Sequence, residues 1–207
     1  MALFGLTRPV SPEPLLRGDG VYLRPGAPSD YSSWSRLRAA SRSFLEPWEP
    51  TWPDDDLTRA AFRRRLRRQD DDMARDEAYT FLIFDSNSDE LLGGITLGGV
   101  RRGVSQSGTL GYWMGASHAG KGRMTRAVAA TVEFAVSKLR LHRIEAACIP
   151  ENAPSIALLE RNGFRREGYA RGFLRINGAW RDHLLFALVE SDARPRLTWT
   201  NTDLDQS

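Results

Sequence analysis

Apolar residues recur along this chain with two periods, and the switches between them mark its elements. Val21-Tyr-Leu-Arg-Pro25 predicts a short first strand. A helix is expected over about 29–40, and the proline-broken run Phe44-Leu-Glu-Pro-Trp-Glu-Pro-Thr-Trp-Pro53 reads as a loop. Leu57, Ala61, Phe62, Leu66 and Met73 then fall at helical spacing. Strands over 79–84 and 91–97 flank the turn Asp85-Ser-Asn-Ser-Asp89, and another is expected over 109–114. Val128, Val132, Ala135, Val136 and Leu139 form the stripe of a helix over 123–139. Residues 142–149 alternate Ile144, Ala146 and Cys148 against Arg143, Glu145 and Ala147, a strand pattern. Asn152 is a good N-cap for a short helix that Asn162-Gly163 would close. Two last strands, near 164–171 and 183–189, flank a turn at Asn177-Gly178.

This pattern predicts one α+β domain with a mostly antiparallel sheet of about seven strands and about four helices. Its boundaries are expected at 21–190, with an N-terminal extension over 1–20 and a flexible polar tail over 191–207.

Composition narrows the possibilities. With 41% hydrophobic and 27% charged residues among 207, the chain has ordinary globular content, which excludes wholesale disorder. The single cysteine, Cys148, excludes an internal disulfide and a multi-cysteine zinc site. His118 and His142 lack ligand-like spacing, so no metal is expected. No apolar run approaches membrane-span length, and Met1–Arg8 has no basic leader, so a cytoplasmic protein without a membrane partner is expected. The net charge is only +3, from 29 Lys+Arg against 26 Asp+Glu. Even Arg63-Arg-Arg-Leu-Arg-Arg68 lies in a neutral segment, because residues 54–77 hold seven arginines and eight acids. That segment reads as a solvated helix face rather than a nucleic-acid patch.

The informative junction is Leu110-Gly-Tyr-Trp-Met-Gly-Ala-Ser-His-Ala-Gly-Lys-Gly-Arg-Met-Thr125, a strand, a loop and a helix start. Gly120 and Gly122 precede the helix, where free amide groups and the helix dipole favour an anion such as phosphate. No Gly-Lys-Ser/Thr follows, so this is not a Walker loop. Together with Glu151-Asn-Ala-Pro-Ser155 and Arg161-Asn-Gly-Phe164, the junction resembles the GNAT superfamily of acetyl-CoA-dependent N-acetyltransferases, over about residues 21–189. Glu167-Gly-Tyr-Ala170, Ile176-Asn-Gly-Ala-Trp180 and Arg181-Asp-His-Leu184 most resemble its ribosomal-protein alanine N-acetyltransferases.

The resemblance implies a sheet whose central strands splay apart, with acetyl-CoA as co-substrate. Its pantetheine arm would pair with the backbone of Trp113 and Met114, the latter's N–H serving as oxyanion donor. Its pyrophosphate would lie over Ala119, Gly120, Lys121, Gly122, Arg123 and Met124, and Asn152 and Ser155 would begin a second cofactor element. There are departures. Ser117 stands where the family's loop has Gln or Arg, and Leu110 where a glutamate is common. Leu159 occupies the position, seven after Asn152, of the tyrosine that protonates the departing thiolate in many members, leaving Ser155 as the nearest candidate acid.

An α-amine, with a pKa of about 7.7–8.0, is partly neutral at cytosolic pH, whereas lysine at about 10.4 is not. The lack of an obvious acid–base pair therefore favours an α-amine acceptor. Glu145 is a candidate base acting through water, and Asp182 with His183 a candidate polar pair at the acceptor end. Trp48 and Trp52, beside Glu46 and Glu49, would suit a cationic peptide terminus or else cap the core. The expected function is acetyl transfer, by direct attack in a ternary complex, to the N-terminal alanine-like α-amine of a protein such as a ribosomal protein, the enzyme being a monomer or homodimer. Acetylation of a small amine (an antibiotic or polyamine) and a non-catalytic ribosome- or RNA-binding module are the alternatives.

Overall fold

The computed structural model describes residues 16–192. Residues 1–15 and 193–207, which include most of the expected extension and tail, lie outside the described residues. Eight strands form one sheet in the order β1-β2-β3-β4-β5-β6-β8-β7. They are β1 (Leu16–Gly18), β2 (Val21–Arg24), β3 (Tyr79–Asp85), β4 (Leu91–Arg101), β5 (Ser107–Met114), β6 (Arg143–Cys148), β7 (Arg165–Ile176) and β8 (Ala179–Val189). Five α-helices accompany them among the described residues: α1 (Tyr31–Ala40), α2 (Arg42–Leu45), α3 (Arg59–Ala74), α4 (Arg123–Ser137) and α5 (Ala153–Arg161).

The open, mostly antiparallel α+β architecture expected from the sequence is present, with three differences. The additional strand β1 pairs with β2 in the stretch read as an extension, so the sheet starts before residue 21. The proline-rich segment read as loop is partly helical, through α2 and a 3-10 turn at Glu46–Trp48. Strands β7 and β8 run to the Asn177-Gly178 turn from both sides, longer than expected, because register shifts interrupt their alternation.

Alternation sends the two faces of the sheet into separate cores. Phe81, Ile83, Leu110, Met114, Ile144, Ala146, Cys148, Leu184 and Phe186 pack on the α4 and α5 side with Ala127, Val128 and Leu159. Leu82, Phe84 and Leu91 pack on the opposite side with Trp34 and Phe62, and Trp113 and Leu37 lie against them. β5 and β6 are the parallel pair, joined by the α4 crossover.

α1 is fixed to the sheet by a buried ion pair. Arg24 on β2 forms two hydrogen bonds of 2.8 and 2.7 Å to Asp30 at the helix start, and Asp30 also accepts the Ala27 amide at 2.7 Å. Both side chains are almost wholly buried, so removing one partner strands the other's charge. We expect Asp30→Ala to lower unfolding free energy by about 3 kcal/mol in denaturant titration, more than the loss of any exposed ion pair on α3.

Candidate functional site

The parallel ladder between β5 and β6 is short. It pairs Ser107, Gly108, Thr109 and Leu110 with Arg143, Ile144, Glu145 and Ala146, and ends there. Beyond it the strands diverge, while β5 stays paired with β4 to Met114. The Gly115 amide donates to Leu92 O at 2.9 Å, so by alternation the odd residues of β5 bond to β4. The even residues face β6, as the bonds from His142 and Arg143 amides to Gln106 O confirm at the ladder's start. The main-chain groups of Tyr112 and Met114 therefore point into the gap. Trp113 bonds toward Gly94 instead, which corrects the expectation that its backbone is free for a ligand.

A cavity of about 780 Å³ runs through this gap. Its lining joins Leu110–Met114 of β5, His118–Thr125, Ala147–Ile149, Asn152 and Ser155 to Trp48, Glu49, Arg175 and His183. Gly120 and Gly122 have φ of +75° and +72°, the left-handed region, and Gly122 caps α4. A Cβ at either would meet nothing within 4 Å, so their glycines are required by backbone conformation rather than by crowding. The first turn of α4 thus opens into the cavity with its amides free for an anion. Arg123, however, is paired with Asp85 at 2.7 Å, and Lys121 donates to Ser117 O at 2.8 Å. Two backbone amides, and then Arg123, hold the Asp85 carboxyl below its usual range.

Asn152 N-caps α5, its side chain accepting the Ser155 amide at 3.2 Å. The Ser155 hydroxyl lies 2.7 Å from the Tyr112 hydroxyl, a partnership across 43 residues that the sequence did not reveal. Burial pushes the Tyr112 phenol up to about 12, with the Ser155 hydroxyl opposing. Burial likewise pushes the Cys148 thiol up to about 11, again opposed by Ser155. Leu159, at the family's tyrosine position, is fully buried in the core. His118, also in the cavity wall, is held below the usual imidazole range by burial despite Glu90.

On the opposite face, Arg38 of α1 donates two 2.7 Å bonds to the two Glu49 oxygens, and Trp52 Nε1 donates to Glu49 Oε2 at 2.7 Å. The guanidinium lies 4.0 Å from the Trp52 ring centroid and 4.9 Å from that of Trp113. The Trp113 indole lies over Gly94, where a Cβ would sit 2.5 Å from Nε1. The Glu49 carbonyl accepts the Asn177 amide at 2.8 Å, which fastens the β7–β8 hairpin tip to this wall.

The two tryptophans thus divide their roles. Trp48 is half-exposed in the cavity wall, whereas Trp52 is buried outside it, behind Glu49. Glu145 also lies outside the cavity lining, on the paired side of the ladder, with its carboxylate held by Arg101 at 2.7 Å and Arg143 at 3.0 Å. That corrects its candidacy as base. Asp182 is spent on the hairpin, where it accepts the Tyr169 hydroxyl and, at 2.7 Å, the Gly172 amide. Those two donors hold its carboxyl below the usual range. It makes no pair with His183, because adjacent strand residues face opposite ways. Among the described residues no His, Cys, Asp and Glu cluster could hold a metal, and no helix is long and apolar enough to cross a membrane.

Comparison with known proteins places the chain in a family. The acetyltransferase (GNAT) domain family matches residues 21–165. The chain is 36% identical over 157 residues to the [ribosomal protein uS5]-alanine N-acetyltransferase of Escherichia coli, covering 76% of this chain and 81% of that one. It is 37% identical over 178 residues to a probable N-acetyltransferase of Bacillus subtilis, covering 86% and 98%. Among solved structures, Mycobacterium smegmatis RimJ in complex with CoA-disulfide superposes with a TM-score of 0.79 at 36% identity, covering 84% of this chain and 85% of that one.

The raised Cys148 pKa has a direct consequence. With the thiol pushed up to about 11 by burial, very little thiolate is present at neutral pH. Alkylation by iodoacetamide at pH 7.5 should be about tenfold or more slower than for a free cysteine, and should accelerate about tenfold per pH unit as the pH rises toward that value, as followed by mass spectrometry.

Proposed function

The chain belongs to the GNAT acetyltransferase family, and on that premise we propose that this acyltransferase moves the acetyl group of acetyl-CoA to the N-terminal α-amine of a ribosomal protein with a small first residue such as alanine. The observation that carries the reading is the short β5–β6 ladder, which leaves the main chain of Tyr112 and Met114 facing an open gap. An amide-bearing pantetheine arm can complete that half-made sheet by β-augmentation. The anion-seeking start of α4, reached across Gly120 and Gly122, lies where the phosphates of the same molecule would follow. Ala119 and Met124 line that end, and Asn152 and Ser155 flank the arm from α5. The relative of Escherichia coli is named for a ribosomal-protein alanine, and the Mycobacterium smegmatis structure holds a CoA species, which supports both substrates.

In this reading Met114 donates its N–H to the oxygen of the reacting carbonyl. Ser155, backed by the Tyr112 hydroxyl, faces the position of the leaving sulfur and supplies its proton. Lys121 and Arg123 contribute charge only secondarily, since Ser117 and Asp85 already engage them. Attack in a ternary complex avoids any acylated side chain. The buried Cys148 thiol, held protonated, is a poor nucleophile, in keeping with this route. The near-neutral pKa of an α-amine, about 7.7–8.0, makes it the acceptor best suited to a cavity whose carboxylate, Glu49, is already bonded to Arg38 and Trp52.

Two experiments test these assignments. Gly122→Val forces a β-branched residue into left-handed backbone at a cost of about 1–2 kcal/mol. It should raise the acetyl-CoA Kd about tenfold or more in calorimetry, with far-UV circular dichroism unchanged. An unchanged Kd in the folded variant would remove the loop from the cofactor site. For the acceptor, one peptide with a free N-terminal alanine and a blocked lysine is compared with the reverse. Mass spectrometry should locate the acetyl group on the α-amine, and preferential acetylation of the lysine, spermidine or an aminoglycoside would overturn the acceptor assignment.

A further inference from the structure

The cavity crosses the sheet, so its chemistry can be sorted by face. On the α4–α5 face lie Tyr112, Cys148 and Ser155, the groups around the leaving sulfur. On the other face lie Trp48, Glu49 and His183. His183 belongs there because Leu184 pairs directly with Cys148 and shares the α4–α5 core, so the residue before it points the opposite way. An amine that attacks the carbonyl from the side away from the sulfur arrives on this second face. It must lose a proton there.

The acids considered for that proton are committed. Both oxygens of Glu49 are bonded to Arg38, and one also to Trp52. Glu145 and Asp182 lie outside the cavity lining, in their own ion pairs and hairpin bonds. His183 differs. It is buried, with 3% of its surface exposed, and belongs to the cavity wall. Its Nδ1 lies 3.0 Å from the Arg181 carbonyl, and Phe173 meets its ring edge-on at 5.6 Å. A carbonyl oxygen only accepts, so Nδ1 donates to it, and whenever the ring is neutral that contact makes Nε2 the basic nitrogen. Backbone and aromatic contacts thus orient an imidazole in the cavity wall and engage its Nδ1.

Resting on the function proposed above, we propose that His183 is the catalytic base, taking the amine proton on Nε2. The amine nitrogen bonds to the thioester carbon while one of its protons passes to Nε2. The carbon–sulfur bond then breaks with its electron pair on sulfur, which takes the Ser155 hydroxyl proton; Ser155 regains one from the Tyr112 hydroxyl, and Tyr112 from water. The imidazolium returns its proton to water. The acid and the base so stand on opposite faces of one sheet, with the gap between them.

The test uses the full chain and whichever amine the wild type acetylates, peptide or small molecule, so that the role of His183 is scored even if the acceptor assignment fails. His183→Ala and His183→Gln are compared by thiol release and by acetyl-CoA calorimetry. Both are expected to bind acetyl-CoA within about twofold of wild type and to lose about 10²- to 10⁴-fold in kcat. Added imidazole should restore part of the rate of His183→Ala, whose cavity has room for it, and none of that of His183→Gln. A variant that binds acetyl-CoA normally and keeps kcat within about threefold would overturn the proposal. So would a loss carried only by a raised KM for the amine, or one that imidazole does not relieve in a cofactor-competent His183→Ala. Should His183→Ala fail to bind acetyl-CoA, His183→Gln decides alone: a kcat loss with intact binding supports the base role, and near-normal kcat refutes it.

Discussion

A strand that loses its neighbour halfway leaves a row of main-chain donors and acceptors open to pairing by whatever enters beside it. β5 presents that row at Tyr112 and Met114, where the parallel ladder has already ended at Leu110 and Ala146. The rest of the site follows from it. An amide-rich ligand is the natural completion of the strand, and the loop leading from the same strand must turn into α4 in reach of that ligand's anionic end. The two left-handed glycines make this turn possible. The gap also gives the sheet a passage between its faces, lined from both sides.

The wall proposed to receive the acceptor is held by a different kind of interaction. Arg38, sandwiched between Trp52 and Trp113 and bonded twice to Glu49, joins α1, the proline-rich segment and β5 in one charge-neutral unit. Its anchorage passes back through α1 to the Arg24–Asp30 pair on β2, and forward through the Glu49 carbonyl to the hairpin tip. The Ser41 hydroxyl, which receives the Ala116 amide at 2.9 Å, fastens the end of α1 to the loop after β5 as well. The wall is therefore assembled from segments distant in sequence, whereas the half proposed to hold the cofactor is nearly continuous from Leu110 to Thr125.

That difference explains what could be read from the sequence. The continuous half was legible: the strand before Gly115, the glycines, the helix stripe and the Asn152 cap are all local signals. Strand β1 was not, because three residues, Leu16–Gly18, show no alternation to detect. The ends of β7 and β8 were lost for the opposite reason, since shifts at Arg166/Gly168 and Ala170/Leu174 break the period of strands that continue. The acceptor side depended on pairings the chain order hides. Nothing local distinguishes Trp48 from Trp52, yet one lines the cavity and the other stacks behind Glu49. Asp182 and His183 look like a pair only in one dimension, and Tyr112 finds Ser155 only through the crossover.

The register shifts in β7 bear on how the molecule behaves in a crowded solution. Among the described residues β7 is the last strand of the sheet, with an open row of backbone groups and the exposed apolar side chains Tyr169, Phe173 and Leu174. A flat edge of that composition would invite another chain to add itself as a ninth strand. Two interruptions in twelve residues, clamped in shape by Asp182 on Gly172, deny such a visitor a continuous template. Four arginines, at 165, 166, 171 and 175, would also face their own copies in any symmetric docking. The irregularity that conceals this strand in the sequence thus also guards it against aggregation.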